Sequence, residues 1–116
     1  QIKTYVASTA PSGGAVTQSS NKTTTVNIDK YTGKITTHDQ DITANTEVNF
    51  TLTNSAIGAD DVVVVGHRSG GNLGDYLIQA HTMGSGSCEI SIRNLTNGTL
   101  GQALVINFVV IKGSDS

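Results

Sequence analysis

Short runs in which apolar and polar residues alternate recur along this chain, and they constrain its fold more than any other feature. In the clearest run, Val48, Phe50 and Leu52 alternate with polar residues. Alternation with a period of two places all the apolar side chains on one face of a β-strand. The sequence therefore predicts strands that bury one face and expose the other.

Turn-forming residues separate these runs at intervals of roughly 8–12 residues, a spacing typical of all-β folds. The chain has 116 residues, enough for one domain and too few for two of ordinary size. About eight strands joined in this way predict an all-β, antiparallel two-sheet β-sandwich of the jelly-roll type. We assign residues 23–116 to the sandwich and residues 1–22 to an extended N-terminal arm or connector with a short strand or two.

Two predicted strands are apolar on both faces, the valine run 62–65 and the last strand, 103–111. A monomer seldom leaves a large apolar patch in water. We therefore expect the surplus face to contact other subunits of a symmetric oligomer. A long loop or the N-terminal arm of the same chain is the alternative cover. The residues predicted to form the subunit interface are Val63, Val65, Val105, Val109 and Ile111.

Charge and hydropathy argue against two classes of partner. The chain has 7 Lys and Arg against 9 Asp and Glu, for a net charge of −2, and its cations form no run. Nucleic-acid binding needs a basic surface, so a nucleic-acid partner is not expected. A membrane-spanning helix needs about 18 or more consecutive apolar residues, and no stretch of the chain approaches this length. We predict no membrane insertion.

The chain has one cysteine, Cys88, and therefore no internal disulfide framework. Cys88 shares its parity with Ile90 and Ile92 in a predicted strand, so its side chain should point inward with theirs. We predict an unreactive core thiol.

The sequence His-Arg-Ser-Gly-Gly at 67–71 is the segment that most suggests chemistry. A serine nucleophile needs a base and a third group that orients the base. Asp60, Asp61 and Asp75 flank the segment, but the chain lacks the G-x-S-x-G turn that exposes such a serine. We predict no catalytic residues and no enzymatic activity.

Two groups of acidic and imidazole side chains raise the question of a metal site. Neither has the spacing of an EF-hand loop or a zinc site, and Asp is common in turns for conformational reasons. We predict no metal and no cofactor, with a structural calcium ion as the alternative. The two groups are His38, Asp39 and Asp41, and Asp60, Asp61 and Asp75.

The longest polar loops predicted, 38–45 and 66–75, are the expected places for a ligand, because strands hold loops rigidly while their sequences vary. Only the second loop has a cation and an adjacent aromatic ring, a combination that suits a sugar. The alternative is a solvated hairpin loop without a ligand, since Gly and Asn serve turns in many proteins. The predicted ligand contacts are His67, Arg68, Asn72, Asp75 and Tyr76.

Six segments of the chain form a recurring structural pattern: TTTVNID at 23–29, YTGKIT at 31–36, VNFTLTN at 48–54, DVVVVGH at 61–67, ISIRN at 90–94 and ALVINFVVI at 103–111. Together they resemble a β-module found at the C-terminal ends of bacteriophage tail fibres, tailspikes and other virion-surface proteins. The resemblance covers nearly the whole chain, and its motifs are structural rather than catalytic.

This resemblance implies a homotrimeric distal domain on the surface of a phage particle, outside the cell. Such a domain helps an upstream parent protein to assemble and often binds a receptor, here expected to be a glycan of the host surface. The first residue is Gln1 rather than Met, so we expect a fragment or a processed product. The alternatives are a structural capsid decoration or fibre-folding domain without a ligand, and a non-catalytic appendage of a polysaccharide depolymerase.

Overall fold

A computed structural model describes residues 13–113, and within them the chain forms eight β-strands and no helix. The all-β prediction is confirmed. No helix within this range could therefore cross a membrane. The strands are β1 Gly14–Thr17, β2 Val26–Asn27, β3 Thr32–Thr36, β4 Glu47–Thr53, β5 Val62–Ser69, β6 Tyr76–Gly84, β7 Ser87–Asn94 and β8 Val105–Ile111.

The strands form two four-stranded sheets that share one core, an arrangement compatible with a β-sandwich. Sheet A has the order β1-β3-β8-β5, and sheet B has the order β2-β4-β7-β6. In β4, β7 and β8 the buried face is the one formed by the alternating apolar residues of the sequence. Ile90, for example, lies between Phe50 on β4 and Ala80 on β6, and it is completely buried.

The prediction of purely antiparallel sheets is wrong at two sheet edges. β1 pairs with β3 in parallel, and β2 pairs with β4 in parallel. The first four strands alternate between the sheets, so the chain leaves sheet A after β1, passes through β2 in sheet B, and returns in the same direction in β3. A parallel pair needs such a crossover, whereas a hairpin produces an antiparallel one.

Phe108 fills the core beneath sheet A, and Gly33 makes room for its ring. The two residues are partners across β3 and β8. A Cβ atom at Gly33 would lie 2.7 Å from Phe108 Cε2, which is closer than real Cβ contacts allow. The ring is 4% exposed. Gly33 is therefore required by packing rather than by a turn.

Residues that the sequence assigned to the N-terminal arm contribute to this fold. Residues 1–12 lie outside the described range, residues 14–17 form β1, and Gln18 and Lys22 are buried. The amide nitrogen of Gln18 donates to the carbonyl of Lys22 at 3.0 Å, and its amide oxygen accepts from the backbone of His38. Residues 14–22 are thereby attached to the loop that follows β3.

An ion pair between the buried Asp61 and the partly exposed Lys112 fastens the segment after β8 to the start of β5. Asp61 Oδ2 lies 2.5 Å from Lys112 Nζ and accepts from the backbone of Gly58 at 2.7 Å, while Oδ1 accepts from the backbone of Gly113 at 2.8 Å. Burial alone would raise the pKa of Asp61, but the ammonium and the two backbone amides outweigh it and hold the pKa below its ordinary value.

Candidate functional site

The predicted loop 66–75 is wrong at residues 66–69, which belong to β5. His67 on this strand braces the loop that follows. His67 Nε2 lies 2.6 Å from the carbonyl oxygen of Gly70, so this nitrogen must carry the proton and donate it. The imidazole ring meets Tyr76 edge to face, with 5.8 Å between ring centroids and an angle of 87°. The hydrogen bond and the ring contact of His67 are therefore both made within the domain, to Gly70 and Tyr76, rather than to a ligand.

Tyr76 lies in the core, and this contradicts its predicted role as a surface platform for a sugar ring. The residue is 7% exposed, and its hydroxyl donates to Gln102 Oε1 at 2.7 Å. Burial raises the pKa of the phenol, and the charge of Asp75 adds to the effect. Tyr76 anchors the loop instead of facing a ligand.

Two glycines let the loop fold back over this anchor. Gly70 and Gly71 have left-handed φ values of 84° and 65°, which non-glycine residues rarely adopt. A Cβ atom at Gly71 would lie 2.8 Å from Gln102 Oε1 and 2.9 Å from Tyr76 Cε2. The glycines thus serve a close packing contact as well as a turn.

Two of the five predicted receptor contacts remain available at the surface. Arg68 and Asn72 are exposed, whereas Asp75 is half-buried and its carbonyl accepts from the backbone of Leu95 at 2.9 Å. The sequence interpretation missed an apolar component at this end of the domain. Leu73, Leu77 and Leu95 are 70%, 44% and 49% exposed. Single leucines in polar segments carry no periodic signal that could have revealed them.

The groups considered for a metal ion do not converge. Within residues 13–113, no three His, Cys, Asp or Glu side chains lie close enough together to hold one. Asp39 and Asp41 act on the charge of the buried Lys22, whose ammonium donates to the carbonyl of Gln40 at 2.6 Å. Burial lowers the pKa of Lys22, and the two aspartates partly offset this. Asp61 is already paired with Lys112.

The outer face of sheet A exposes a row of apolar side chains. Val62 and Val64 are 54% and 48% exposed, and they lie opposite Ile111 and Val109 of the central strand β8. The prediction was wrong for Val63, which is 5% exposed and belongs to the core. Four successive valines carry no parity signal, so only the pairing with β8 decides which of them point outward.

The remaining predicted interface residues are half-buried. Val105, Val109 and Ile111 alternate with the fully buried Ile106 and Val110, as the sequence predicted for β8. Val65 is also half-buried, but it packs against the core. The outward apolar residues of sheet A are therefore Val62, Val64, Val105, Val109 and Ile111.

A groove crosses the outer face of sheet A, and we call it the sheet A groove. Its volume is about 610 Å³. One end of the groove is lined by residues 13–15, at the start of β1, and the other end by residues 64–66 on β5. Lys34 and Asn107 line the groove between these two ends. Because Gly66 has no side chain, the groove stays open beside Asn107.

The outer face of sheet B is polar. Ser91 Oγ lies 2.5 Å from His81 Nε2 and 2.5 Å from the side-chain amide of Asn49. On the next row, Thr51 Oγ1 donates to Glu89 Oε2 at 2.7 Å. These contacts link β6, β7 and β4 across the face. The two outer faces of the domain thus differ sharply in polarity.

The pair of Ser91 and His81 resembles two members of a catalytic triad, but its surroundings differ. The other imidazole nitrogen lies 2.8 Å from the hydroxyl of Thr82, where a triad has a carboxylate to stabilise the imidazolium. Ser91 is 4% exposed, which leaves a substrate little access to its hydroxyl. The contact is suited to joining strands.

Comparisons of the chain with protein-family models, curated proteins and solved structures found no match. The surfaces of the domain itself, together with the resemblance of its sequence segments, are therefore the basis for a functional proposal.

Cys88 is expected to react very slowly with thiol reagents in the native protein. It is 1% exposed, which confirms the predicted core position, and burial, with a contribution from Glu89, raises its pKa to about 11. At pH 8 the folded thiol is then roughly 200-fold less ionised than an ordinary cysteine with a pKa of about 8.5. The rate of release of thionitrobenzoate from Ellman's reagent, in buffer and in urea, measures the difference. Equal rates would contradict a buried thiol.

Proposed function

We propose that this domain is a module of a virion surface protein, the distal part of a bacteriophage tail fibre or tailspike. Its minimum task is to assemble a homotrimer of jelly-roll-like β-sandwiches and so to support an upstream parent protein outside the cell. The observation that carries the proposal is the contrast between the two outer faces, one polar and hydrogen-bonded, the other apolar and uncovered in the described residues.

The apolar face of sheet A has the character of an interface core. Such cores are depleted of charge and enriched in apolar side chains. Val62, Val64, Val109 and Ile111 form a continuous patch across two adjacent strands. Exposed patches of this kind commonly mark contact with another protein. A second copy of the chain is the partner that the sequence resemblance implies.

Replacing Val64 with Asp is expected to separate the subunits without unfolding them. Val64 is 48% exposed in the isolated domain, so the new carboxylate stays hydrated there. In a closed interface the same charge would be desolvated without a partner, at a cost of several kcal/mol. A loss of about 3 kcal/mol weakens association by at least about 100-fold. Sedimentation at micromolar concentration measures the change.

The matched control is Gln79→Asp, which adds the same charge to an exposed position on the polar face of sheet B. This variant should sediment like the unsubstituted chain. A monomer formed by the unsubstituted chain at micromolar concentration would contradict the proposed assembly.

Receptor contact is the second part of the proposal, and it is supported by the exposed side chains of Arg68, Asn72 and Leu73 beside the braced loop. An arginine and an amide can both donate hydrogen bonds to the oxygens of a glycan. The combined change Arg68→Ala and Asn72→Ala is expected to lower adsorption of the parent particle to host cells at least about 10-fold. Unchanged adsorption by assembled particles would exclude this loop as the contact, and Gln79→Ala is the control.

A structural role without a ligand is the second candidate. It is favoured by the internal use of His67 and Tyr76, whose contacts stabilise the loop instead of leaving an aromatic platform free. A glycan array on the domain distinguishes the candidates, because only the first predicts specific binding that Arg68→Ala weakens.

A further inference from the structure

A second pocket, which we call the end pocket, lies near the start of β5, at the end of this strand opposite to the loop that follows it. Its volume is about 270 Å³. It is lined by residues 29–31, which join β2 to β3, and by residues 55 and 56, which follow β4. It shares no lining residue with the sheet A groove. The end pocket is therefore separate from both surfaces discussed above.

Asp29 supplies the end pocket with a carboxylate whose position is fixed. Its Oδ1 accepts from the backbone nitrogen of Ser55 at 2.9 Å and from the side-chain amide of Asn27 at 3.2 Å. The hydrogen bond from Ser55, and after it the one from Asn27, holds the pKa of Asp29 below its ordinary value. The residue is exposed, so a ligand in the pocket can reach an ionised and oriented carboxylate.

Two further polar groups of the end pocket have no hydrogen-bond partner among residues 13–113. The ammonium of Lys30 makes no hydrogen bond or ion pair there, although its charge acts on Asp29. The hydroxyl of Tyr31 makes no hydrogen bond either. Since every buried polar side-chain atom in this range has a partner, this hydroxyl faces solvent. The pocket thus combines a fixed acceptor, a cation and a phenol that can donate or accept.

The backbone that carries Lys30 and Tyr31 is held in place. The carbonyl of Lys30 accepts from the side-chain amide of Asn54 at 2.7 Å, and the carbonyl of Tyr31 accepts from the backbone of Val110 at 2.8 Å. Tyr31 also packs against the core. A Cβ atom at Gly14 would lie 3.2 Å from Lys30 Cγ, so the stem of Lys30 passes close to β1. Groups positioned in advance lose little freedom when a ligand binds.

Charge and size select the class of ligand. Asp29 repels an anion and Lys30 repels a cation, so the two together favour a neutral molecule that has both donors and acceptors. A sugar has such hydroxyls, and its apolar face can rest on an aromatic ring such as that of Tyr31. The volume of about 270 Å³ lies just below the range of about 300–1,000 Å³ for drug-sized ligands. The pocket therefore suits a single sugar ring.

We propose that the end pocket binds one neutral sugar residue, with Asp29 and Lys30 bonded to its hydroxyls and Tyr31 against its ring. The source of the sugar rests on the proposed function, because a protein of the virion surface meets glycans of the host. The pocket does not depend on assembly, since one chain supplies all its lining residues. Tyr31 also provides the aromatic surface that the buried Tyr76 cannot.

The test is a titration of the isotopically labelled chain with D-glucose, D-galactose, D-mannose and N-acetyl-D-glucosamine, followed by heteronuclear NMR. At least one sugar should shift the backbone amide of Ser55, which donates to Asp29, with a Kd of about 1 mM. Asp29→Asn and Lys30→Met, which preserve the size of each side chain, should each raise this Kd at least about 10-fold. Asp39→Asn, at an exposed position on the loop after β3, is the matched control and should leave the Kd unchanged.

The possible results separate the sugar pocket from the other proposals. An unshifted Ser55 amide in concentrated solutions of all four sugars would overturn the inference. Shifts of Ser55 caused by sulfate or by a free zwitterionic amino acid, and not by sugars, would overturn it too. Sugar-induced shifts confined to residues 66–75 would overturn it and support the loop after β5 as the receptor contact.

The assembly is tested independently in the same samples. Sugar binding at Ser55 in a chain that remains monomeric would support the inference and overturn the proposed assembly. A trimer whose Ser55 amide responds to none of the four sugars would support the assembly and overturn the inference.

Discussion

Replacing Asp61 with Ala is expected to lower the free energy of unfolding by about 3 kcal/mol, the lower end of the cost of breaking a buried ion pair, because the side chain of Lys112 is 23% exposed. The change removes the partner of Lys112 and leaves the backbone amides of Gly58 and Gly113 without this acceptor. Urea unfolding at pH 7 measures the loss. Asp60→Ala is the matched control, since Asp60 is exposed, and its effect should stay within about 0.5 kcal/mol.

The same carboxylate makes stability depend on pH in a defined direction. The folded pKa of Asp61 lies below its ordinary value of 3.8. Its contribution is therefore fully present above this value and is lost as the pH falls through the lower folded pKa. The difference in unfolding free energy between the unsubstituted chain and Asp61→Ala should shrink in acid. A difference that stayed constant down to about pH 2 would show that the ion pair is not its source.

Replacing Phe108 with Ala is expected to cost about 3–5 kcal/mol, the range for removing a large buried ring. The ring fills the space that Gly33 leaves, so the cavity cannot close by a small shift of that residue. Val109→Ala, one position along the strand and half-buried, should cost less than about 1.5 kcal/mol. Equal losses for the two variants in urea unfolding would contradict the described orientation of β8.

A double substitution tests the contact between Phe108 and Gly33 directly. Gly33→Ala alone places a Cβ atom against the ring and should destabilise the chain by about 1–3 kcal/mol. In the Phe108→Ala background the same change meets a cavity, and its cost should largely disappear. Additive effects would mean that the two residues do not share this space.

The strands could be predicted where alternation was unambiguous. In β4 and β8 the parity of the apolar residues determines the buried face, and the structure follows it. β5 could not be oriented in this way, because all of Val62 to Val65 are equivalent in sequence. Its inward residue Val63 is set by pairing with Val110, which is distant in the chain. The parallel edges likewise depend on a crossover that local sequence does not encode.

The candidate site was predictable only in part for a related reason. Arg68 and Asn72 are exposed, as expected for polar residues, although Arg68 lies at the end of β5 and only Asn72 is in the loop. Tyr76 has the same local signature as a surface aromatic, yet it is buried in the core, and its hydroxyl donates to Gln102, 26 positions away. Close packing of Gly71 against both residues completes the arrangement. Contacts between distant segments decide which polar and aromatic residues a ligand can reach.

The position of β8 has a consequence for synthesis of the chain. β8 is the last strand of the described residues but lies between β3 and β5 in sheet A. A ribosome therefore produces β1, β3 and β5 before the strand that joins β3 to β5 exists, whereas β4, β6 and β7 of sheet B are complete by residue 94. A nascent chain halted before Val105 can pair sheet B but cannot close sheet A. Completion of sheet A must await the emergence of Val105–Ile111 from the exit tunnel.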